Sequence, residues 1–298
     1  MAAWHQELLK QCGEQWEAAM AGTDNFCAEI RPKDAVDAHE ELNVAAFKAC
    51  MGSSTERVEK TLQCIAARGW LGKDMTALDI GSGNGVFTIP FAEHYHSVTS
   101  LDISTAMQDE IRRSASELGI SNIRYVNANW RTLQLEEYGL KNAFDLVLCS
   151  INPRGVCGLE TLQKMNEASR GGCCLLSFAG RGRSNHGSDL QQLILGRKLG
   201  TMGGNDIIFP FNAAYHMGGE PDMAYTSVGW ERRLSPEDAI ESICFAYWRF
   251  SEITPEIREK IKRYVYENLE EGFYVDRTES LIGITVWDAW RIKDRNMA

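Results

Sequence analysis

The chain is predicted to fold as a doubly wound α/β domain around a mostly parallel sheet. Three observations predict it. The apolar run Ala77-Leu78-Asp79-Ile80 passes into Gly81-Ser82-Gly83-Asn84-Gly85 and then at once into the helical pattern Val86–Ala92. A second strand pattern, Ser97–Ile103, carries an acid near its end, Asp102, 17 residues after Gly85. Strand and helix patterns then alternate as far as Ala179, as they do where parallel strands are joined by covering helices.

The alternation places strands at Thr76–Ile80, Ser97–Ile103, Ile123–Asn127, Phe144–Ser150 and Cys173–Ala179. Helices fall at Ala106–Leu118 and Leu159–Ala168, and Arg170-Gly171-Gly172 reads as a turn before the fifth strand. Upstream, Trp4, Leu8, Leu9, Cys12, Trp16 and Met20 recur at helical spacing. The stretches Asp34–Cys50 and Glu56–Ala67 do likewise, with Gly69 as a stop. Residues 1–75 are therefore expected to form a helical extension or lid, and residues 76–298 the sheet domain. The sheet domain is expected to carry inserted helices at about 184–220 and 236–272. Downstream come the helical stretch Asp189–Leu199, the aromatic segment Phe209–Met217 and a strand pattern at Met223–Leu234. Two further helices follow, Pro236–Arg249 and Pro255–Gly272; Ser235 is a suitable cap for the first, with proline in the first turn and acids behind it. A last strand is expected at Ser280–Trp287.

Bulk properties narrow the function. A chain of 298 residues, 44% hydrophobic, can bury a large core. It has no apolar run of the ~18 residues that would span a bilayer. The segment Met1–Glu7 lacks a basic region followed by an apolar one, so a cytoplasmic location is expected. The net charge of −10 disfavours a nucleic-acid partner, which calls for a basic face. Nine cysteines include no Cys-x-x-Cys pair, so no metal site is expected and most are read as small buried apolar residues.

The glycine loop carries the chemistry. Glycine tolerates positive φ and has no Cβ, so the loop can turn sharply and let a ligand approach its backbone. An acid at the tip of the second strand is placed to accept from ribose hydroxyls. The spacing Gly81-x-Gly83-x-Gly85 departs from the dinucleotide pattern, since Val86 stands where that pattern needs its third glycine. With Asp79 ahead of it, the segment instead resembles the first motif of the class I S-adenosylmethionine-dependent methyltransferases, an apolar strand followed by Asp-x-Gly-x-Gly-x-Gly. Leu101-Asp102-Ile103-Ser104 is similar to their second motif.

That resemblance implies a seven-stranded Rossmann-like sheet with its final strand inserted antiparallel. It implies S-adenosylmethionine as cofactor and methyl transfer to a small-molecule acceptor. Protein or RNA acceptors, or a cofactor-binding protein without catalysis, are the alternatives, and a nicotinamide-dependent oxidoreductase is a more distant one. The cofactor would be held by Asp79, Gly81, Ser82, Gly83, Asn84 and Gly85, by Asp102, Ile103 and Met107, and by Asn129, Trp130 and Ser150. Asn152, at the tip of the fourth strand, is a candidate for holding the acceptor, the plain alternative being a loop former. The family's amino-methylating members follow that asparagine with Pro-Pro and an aromatic, whereas this chain reads Asn152-Pro153-Arg154-Gly155. His186, Tyr215, His216 and Glu231 are candidate bases or acceptor contacts, each with a structural role as the alternative. Phe209, Phe211, Tyr215 and Trp230 are possible pocket walls, with core packing as the alternative. Arg154, Arg181 and Arg183 suggest an anionic acceptor, with solvated loop charge as the alternative.

Overall fold

A computed structural model describes residues 3–22, 54–152, 155–180, 182–198, 203–248 and 251–292. Of the sequence expectations, the Asp34–Cys50 helix, Pro153, Arg154 and Arg181 lie outside those residues, as do the side chains of Trp4, Arg183 and Trp230. Helices α1 (Ala3–Gly22) and α2 (Ser54–Ala67) precede the sheet. Strand β1 (Thr76–Ile80) leads through the glycine loop to α3 (Thr88–His94), then β2 (Ser97–Asp102), α4 (Thr105–Glu117) and β3 (Ile123–Asn127). β4 (Phe144–Ser150), α5 (Leu159–Ala168) and β5 (Ser169–Phe178) complete the alternating half.

The second half holds β6 (Arg183–Ser184), α6 (Gly187–Leu195), a 3-10 turn (Gly203–Asn205), α7 (Ile208–Met217) and β7 (Asp222–Leu234). It ends with α8 (Pro236–Trp248), α9 (Pro255–Glu267), β8 (Leu269–Glu270) and β9 (Phe273–Asp288). The sheet order is β3-β2-β1-β4-β5-β9-β6, with β7 and β8 also on β9. β1 to β5 run parallel, and β9 enters antiparallel between β5 and β7. Among the described residues the sheet thus has nine strands rather than seven; the additional ones are the two-residue strands β6 and β8.

The side-chain alternation of the strands divides the core. Leu78, Ile80, Val147 and Cys173 face a cluster that takes in Trp16 of α1, Leu162 of α5 and Ala213 of α7. Ala77, Leu146, Leu148 and Cys174 face the opposite cluster, with Val58 and Ile65 of α2 and Phe91 of α3. Neighbouring Cys173 and Cys174 therefore point to opposite faces, as period-two geometry requires. The cysteines among the described residues are free thiols. A third cluster gathers α6, α8 and α9 around Tyr274.

Several boundaries differ from the sequence reading, among them those of β5, α9 and β9. Arg170-Gly171-Gly172 is part of β5 and not a turn. A Cβ on Gly171 would lie 2.6 Å from the Trp70 ring, and one on Gly172 2.5 Å from it. These glycines let an indole lie on the strand, at a point where its register with β4 shifts between Phe144 and Leu146. Helix α9 stops at Glu267, short of Gly272, because Glu271 (φ 51°) and Gly272 (φ 85°) form a two-residue hairpin. That hairpin pairs Glu270 with Phe273 and Leu269 with Tyr274. The last strand accordingly starts at Phe273 rather than Ser280.

Candidate functional site

The tips of β1, β2 and β4 meet at the glycine loop. Gly81, Gly83 and Gly85 all have positive φ, at 67°, 52° and 89°. The amides of Gly81 and Ser82 both donate to the Leu101 carbonyl, at 2.7 and 3.2 Å, and the Ser82 and Ser100 hydroxyls are 2.7 Å apart. The loop is thereby stitched to β2. Asn84 is half-buried within it. A Cβ on Gly83 would meet nothing within 4 Å, so the backbone there borders open space.

Asp102 stands across from that backbone. One carboxylate oxygen accepts from the Gly83 amide at 2.8 Å and the other from the Ser104 amide at 2.9 Å. Burial pushes its carboxyl pKa up, and the amides of Ser104, Gly83 and Ile103 hold it back. Ser104 also caps α4 by accepting from the Met107 amide at 3.1 Å. Asn127 donates to the Asp102 and Ile103 carbonyls at 3.1 and 2.9 Å, fixing the chain on either side of the acid. Met107 is buried beneath.

Asp79 behaves differently. It is 2% exposed and accepts from the Thr88 hydroxyl at 2.6 Å. Burial raises its pKa to about 7; the Thr88 hydrogen bond opposes this and the nearby Asp102 charge adds to it. Its visible role is to tie the end of β1 to the start of α3. Asn129 accepts from the Arg131 amide at 3.0 Å, as in an Asx turn. Trp130 is 3% exposed and donates to the Thr161 carbonyl at 3.4 Å, so its indole lies in the core between the third strand tip and α5.

At the tip of β4, Ser150 is half-buried and Ile151 has φ 47°. Left-handed backbone is strained for a β-branched residue, and such strain persists only where the surroundings enforce it. Here the Ile151 amide is held by the Leu176 carbonyl at 2.9 Å. The kink carries Asn152 across to the glycine loop: a Cβ on Gly81 would overlap the Asn152 amide, and one on Gly155 would come within 2.6 Å of it. The Asn152 side-chain oxygen accepts from the Gly155 amide at 3.0 Å.

Beside Asn152 lies a narrow recess with room for little more than a water-sized group. Trp16, Val156, Leu175, Asn205 and Pro210 are among its walls. Sequence reading singled out neither Trp16 nor Asn205 as a site residue. Trp16 donates to the Gly204 carbonyl at 2.8 Å and stacks on Phe209, centroids 6.3 Å apart. These contacts dock α1 on the segment 203–210.

The structure does not bring Tyr215 and His216 to this recess. α1 and α7 run antiparallel, Trp16 lying by Phe209 and His5 by His216. At ~1.5 Å per helical residue, His216 is about 9 Å along the axis from Pro210. Tyr215 is 56% exposed on that outer end. The His216 Nδ1 is buried without a hydrogen-bond partner, and burial, then the neighbouring His5, lowers its pKa. Phe209 is a partly buried core residue that backs Trp16.

One further cation was not singled out. Arg57 of α2 lies over the Phe87 ring, 5.9 Å from its centroid and two residues past Gly85. Its Nε is buried with no hydrogen-bond partner, and burial lowers its pKa. Among the described residues no carboxylate pairs with it.

Comparison with known proteins agrees with this geometry. Residues 77–170 match a family described as a methyltransferase domain. A solved putative methyltransferase from Bacillus halodurans is 14% identical, with a TM-score of 0.50 over 76% of this chain and 97% of that one. A putative sarcosine dimethylglycine methyltransferase from Galdieria sulphuraria is 14% identical, with a TM-score of 0.43 over 76% and 85%. A geranyl diphosphate C-methyltransferase from Streptomyces coelicolor is 15% identical, with a TM-score of 0.45 over 78% and 75%. At such identities the first of these speaks to the fold. A comparison with curated protein sequences finds no match. Among the described residues no helix is long and apolar enough to cross a membrane, and no cluster of three metal-ligating side chains occurs.

Proposed function

With residues 77–170 a methyltransferase domain of the class I, S-adenosylmethionine-dependent type, we propose that the chain transfers a methyl group from that cofactor to a small-molecule acceptor by in-line displacement. The observation that carries the reading is the junction of Gly83 and Asp102, a backbone amide and a buried carboxylate 2.8 Å apart beside open space.

The residues present fit the cofactor. Each Asp102 oxygen takes one backbone amide, which leaves lone pairs for the ribose hydroxyls. Gly83 presents backbone without a Cβ to the amino-acid portion, flanked by Ser82 and Asn84, while the missing Cβ atoms of Gly81 and Gly85 make room for Asn152 and Ile111. Arg57, a half-buried guanidinium without a carboxylate partner among the described residues, suits the cofactor's own carboxylate, since an unpaired buried cation is costly. Ile103, Met107 and Asn129 line the adenine side. When bound, the sulfonium supplies an electrophilic methyl group. The protein's part is then alignment and exclusion of water, because holding the reacting atoms in line removes much of the entropic barrier.

Asn152 touches the cofactor loop on one side and the recess on the other, which supports a role in positioning the acceptor. The closure of α1 over the recess supports a small acceptor over a polymer. The described walls carry one carboxylate, Asp206, and no Lys, Arg or His, so they lend no support to an anionic acceptor.

A melting experiment tests the cofactor reading. S-adenosylhomocysteine at 100 times its dissociation constant is expected to stabilise the folded chain by about 2.7 kcal/mol. A folded sample whose melting temperature ignores millimolar ligand would refute the reading.

A further inference from the structure

Lys164, on α5, turns its charge inward. Its ammonium donates to the main-chain carbonyls of Trp130, Arg131 and Leu133, at 3.0, 3.1 and 3.0 Å, and lies 5.7 Å from the centroid of the Trp130 ring. An ammonium has three donors, so this one turn takes them all. Among the described residues no carboxylate pairs with it. Three residues earlier on α5, the Thr161 carbonyl accepts from the Trp130 indole at 3.4 Å. The same turn fixes Asn129. Its main-chain carbonyl accepts from the Thr132 and Leu133 amides, at 3.1 and 2.9 Å, and its side-chain oxygen accepts from the Arg131 amide at 3.0 Å. Just before it, the Ala128 amide donates to the Asp102 carbonyl at 3.2 Å, and the Asn127 side chain donates to the Asp102 and Ile103 carbonyls. The turn that Lys164 gathers is thus continuous with the strand tip beside Asp102.

A helix-surface lysine ordinarily sends its ammonium to water. Here three carbonyl oxygens converge on it instead, and such oxygens repel one another unless a cation sits among them. We propose that Lys164 is a positioning residue for the cofactor's base: it holds the turn 129–133 so that the Asn129 amide meets adenine and rejects hypoxanthine. This rests on the methyltransferase reading of the site, which puts Asn129 on the adenine side. An asparagine amide pairs an oxygen with an NH2 group, which matches the amino group and N1 of adenine. Hypoxanthine carries a carbonyl and an N–H at those positions and reverses both. The Arg131 amide is a donor, so it fixes which end of the Asn129 amide is the oxygen. Lys164 itself acts only through the main chain. Without its charge the carbonyls part, the turn relaxes and Asn129 loses its aim. A site built on hydrogen bonds discriminates strongly against an analogue that cannot make them, so the loss falls on base preference.

The test is calorimetric titration of the full chain with S-adenosylhomocysteine and S-inosylhomocysteine, for wild type, Lys164→Met and Lys164→Gln, with melting recorded for each. Wild type is expected to bind the adenosyl ligand about tenfold more tightly than the inosyl one. Methionine keeps much of the apolar stem and supplies no donor. Lys164→Met is therefore expected to weaken the adenosyl ligand about tenfold and the inosyl ligand little, so that the preference disappears. Lys164→Gln, with two amide donors, is expected to keep part of the preference. A residue that served only the stability of the fold would weaken both ligands alike, or neither. A folded Lys164→Met that retains the wild-type preference, whatever its affinity, overturns the proposal. So does a wild type that does not distinguish the two bases. Should only Lys164→Gln fold, an undiminished preference in it overturns the proposal, and failure of both variants to fold does so too, by marking a residue of global stability. Absence of any binding of S-adenosylhomocysteine to folded wild type breaks the methyltransferase reading instead, so the two failures are distinguishable.

Discussion

Replacing Asp79 by Asn should make the protein relatively more stable as pH rises. Asp79 is almost fully buried, and its pKa stands at about 7 against the ordinary 3.8. Below about pH 4 the acid is protonated in both the folded and the unfolded chain, and the shift has no effect. Between about pH 4 and pH 7 the unfolded chain has released the proton while the folded chain retains it. The folded state then binds more protons, so stability falls as pH rises, and it levels off above pH 7. At about 1.4 kcal/mol per pH unit, the rise from 3.8 to about 7 amounts to about 4 kcal/mol over the whole window. Between pH 5 and pH 8 the share is about 3 kcal/mol. Asparagine keeps an oxygen for the Thr88 hydroxyl and carries no proton to lose. Urea unfolding of both proteins at pH 5 and pH 8 measures the difference, in which the other titrating groups cancel. The stability of Asp79→Asn relative to wild type should climb by about 3 kcal/mol between those values. A difference that is flat, or that falls with pH, would refute the assignment of a raised pKa to this buried acid.

Two further contrasts follow from the loop and from α2. Gly85→Ala puts a Cβ 3.0 Å from Ile111 at φ 89°, so it should cost about 3 kcal/mol from strain and overpacking together. Gly83→Ala at φ 52° meets open space and should cost only about 1 kcal/mol, yet weaken S-adenosylhomocysteine binding more than it lowers stability. Equal losses of stability in the two variants, read by melting, would contradict this. Arg57→Met should weaken S-adenosylhomocysteine about ten- to a hundredfold, the value of one charge-assisted contact. It should leave 5′-methylthioadenosine, which lacks the carboxylate, unaffected. Calorimetric titration checks both ligands, and equal loss of both would remove Arg57 from the site.

The parallel half of the fold was legible because its strands are short apolar runs with sharp ends, and because β1 passes straight into the glycine loop. Asp102 was legible for the same reason: it closes a strand at a fixed distance from that loop. What remained hidden depends on contacts far apart in sequence. Trp16 and Gly204 are 188 residues apart, and no local pattern links α1 to the segment that presents Asn205. Glycines were ambiguous in kind: at Gly171 and Gly172 the need was room for the Trp70 ring, whereas at Gly272 it was a hairpin with positive φ. Arg57 was visible as a helical residue, but that no described carboxylate pairs with it shows only once α2 lies against Phe87. Tyr215 and His216 have chemistry suited to an acceptor, but the antiparallel docking of α1 on α7 places them at the far end from the recess.

Calorimetric titration of S-adenosylhomocysteine into wild type and Asp102→Ala tests the cofactor site most directly. Saturable binding to the wild type, at one ligand per chain, should vanish or weaken by orders of magnitude in the variant while both proteins remain folded. Undiminished affinity in Asp102→Ala would show that the adenosyl group is held elsewhere, and no heat from folded wild type would remove the cofactor altogether.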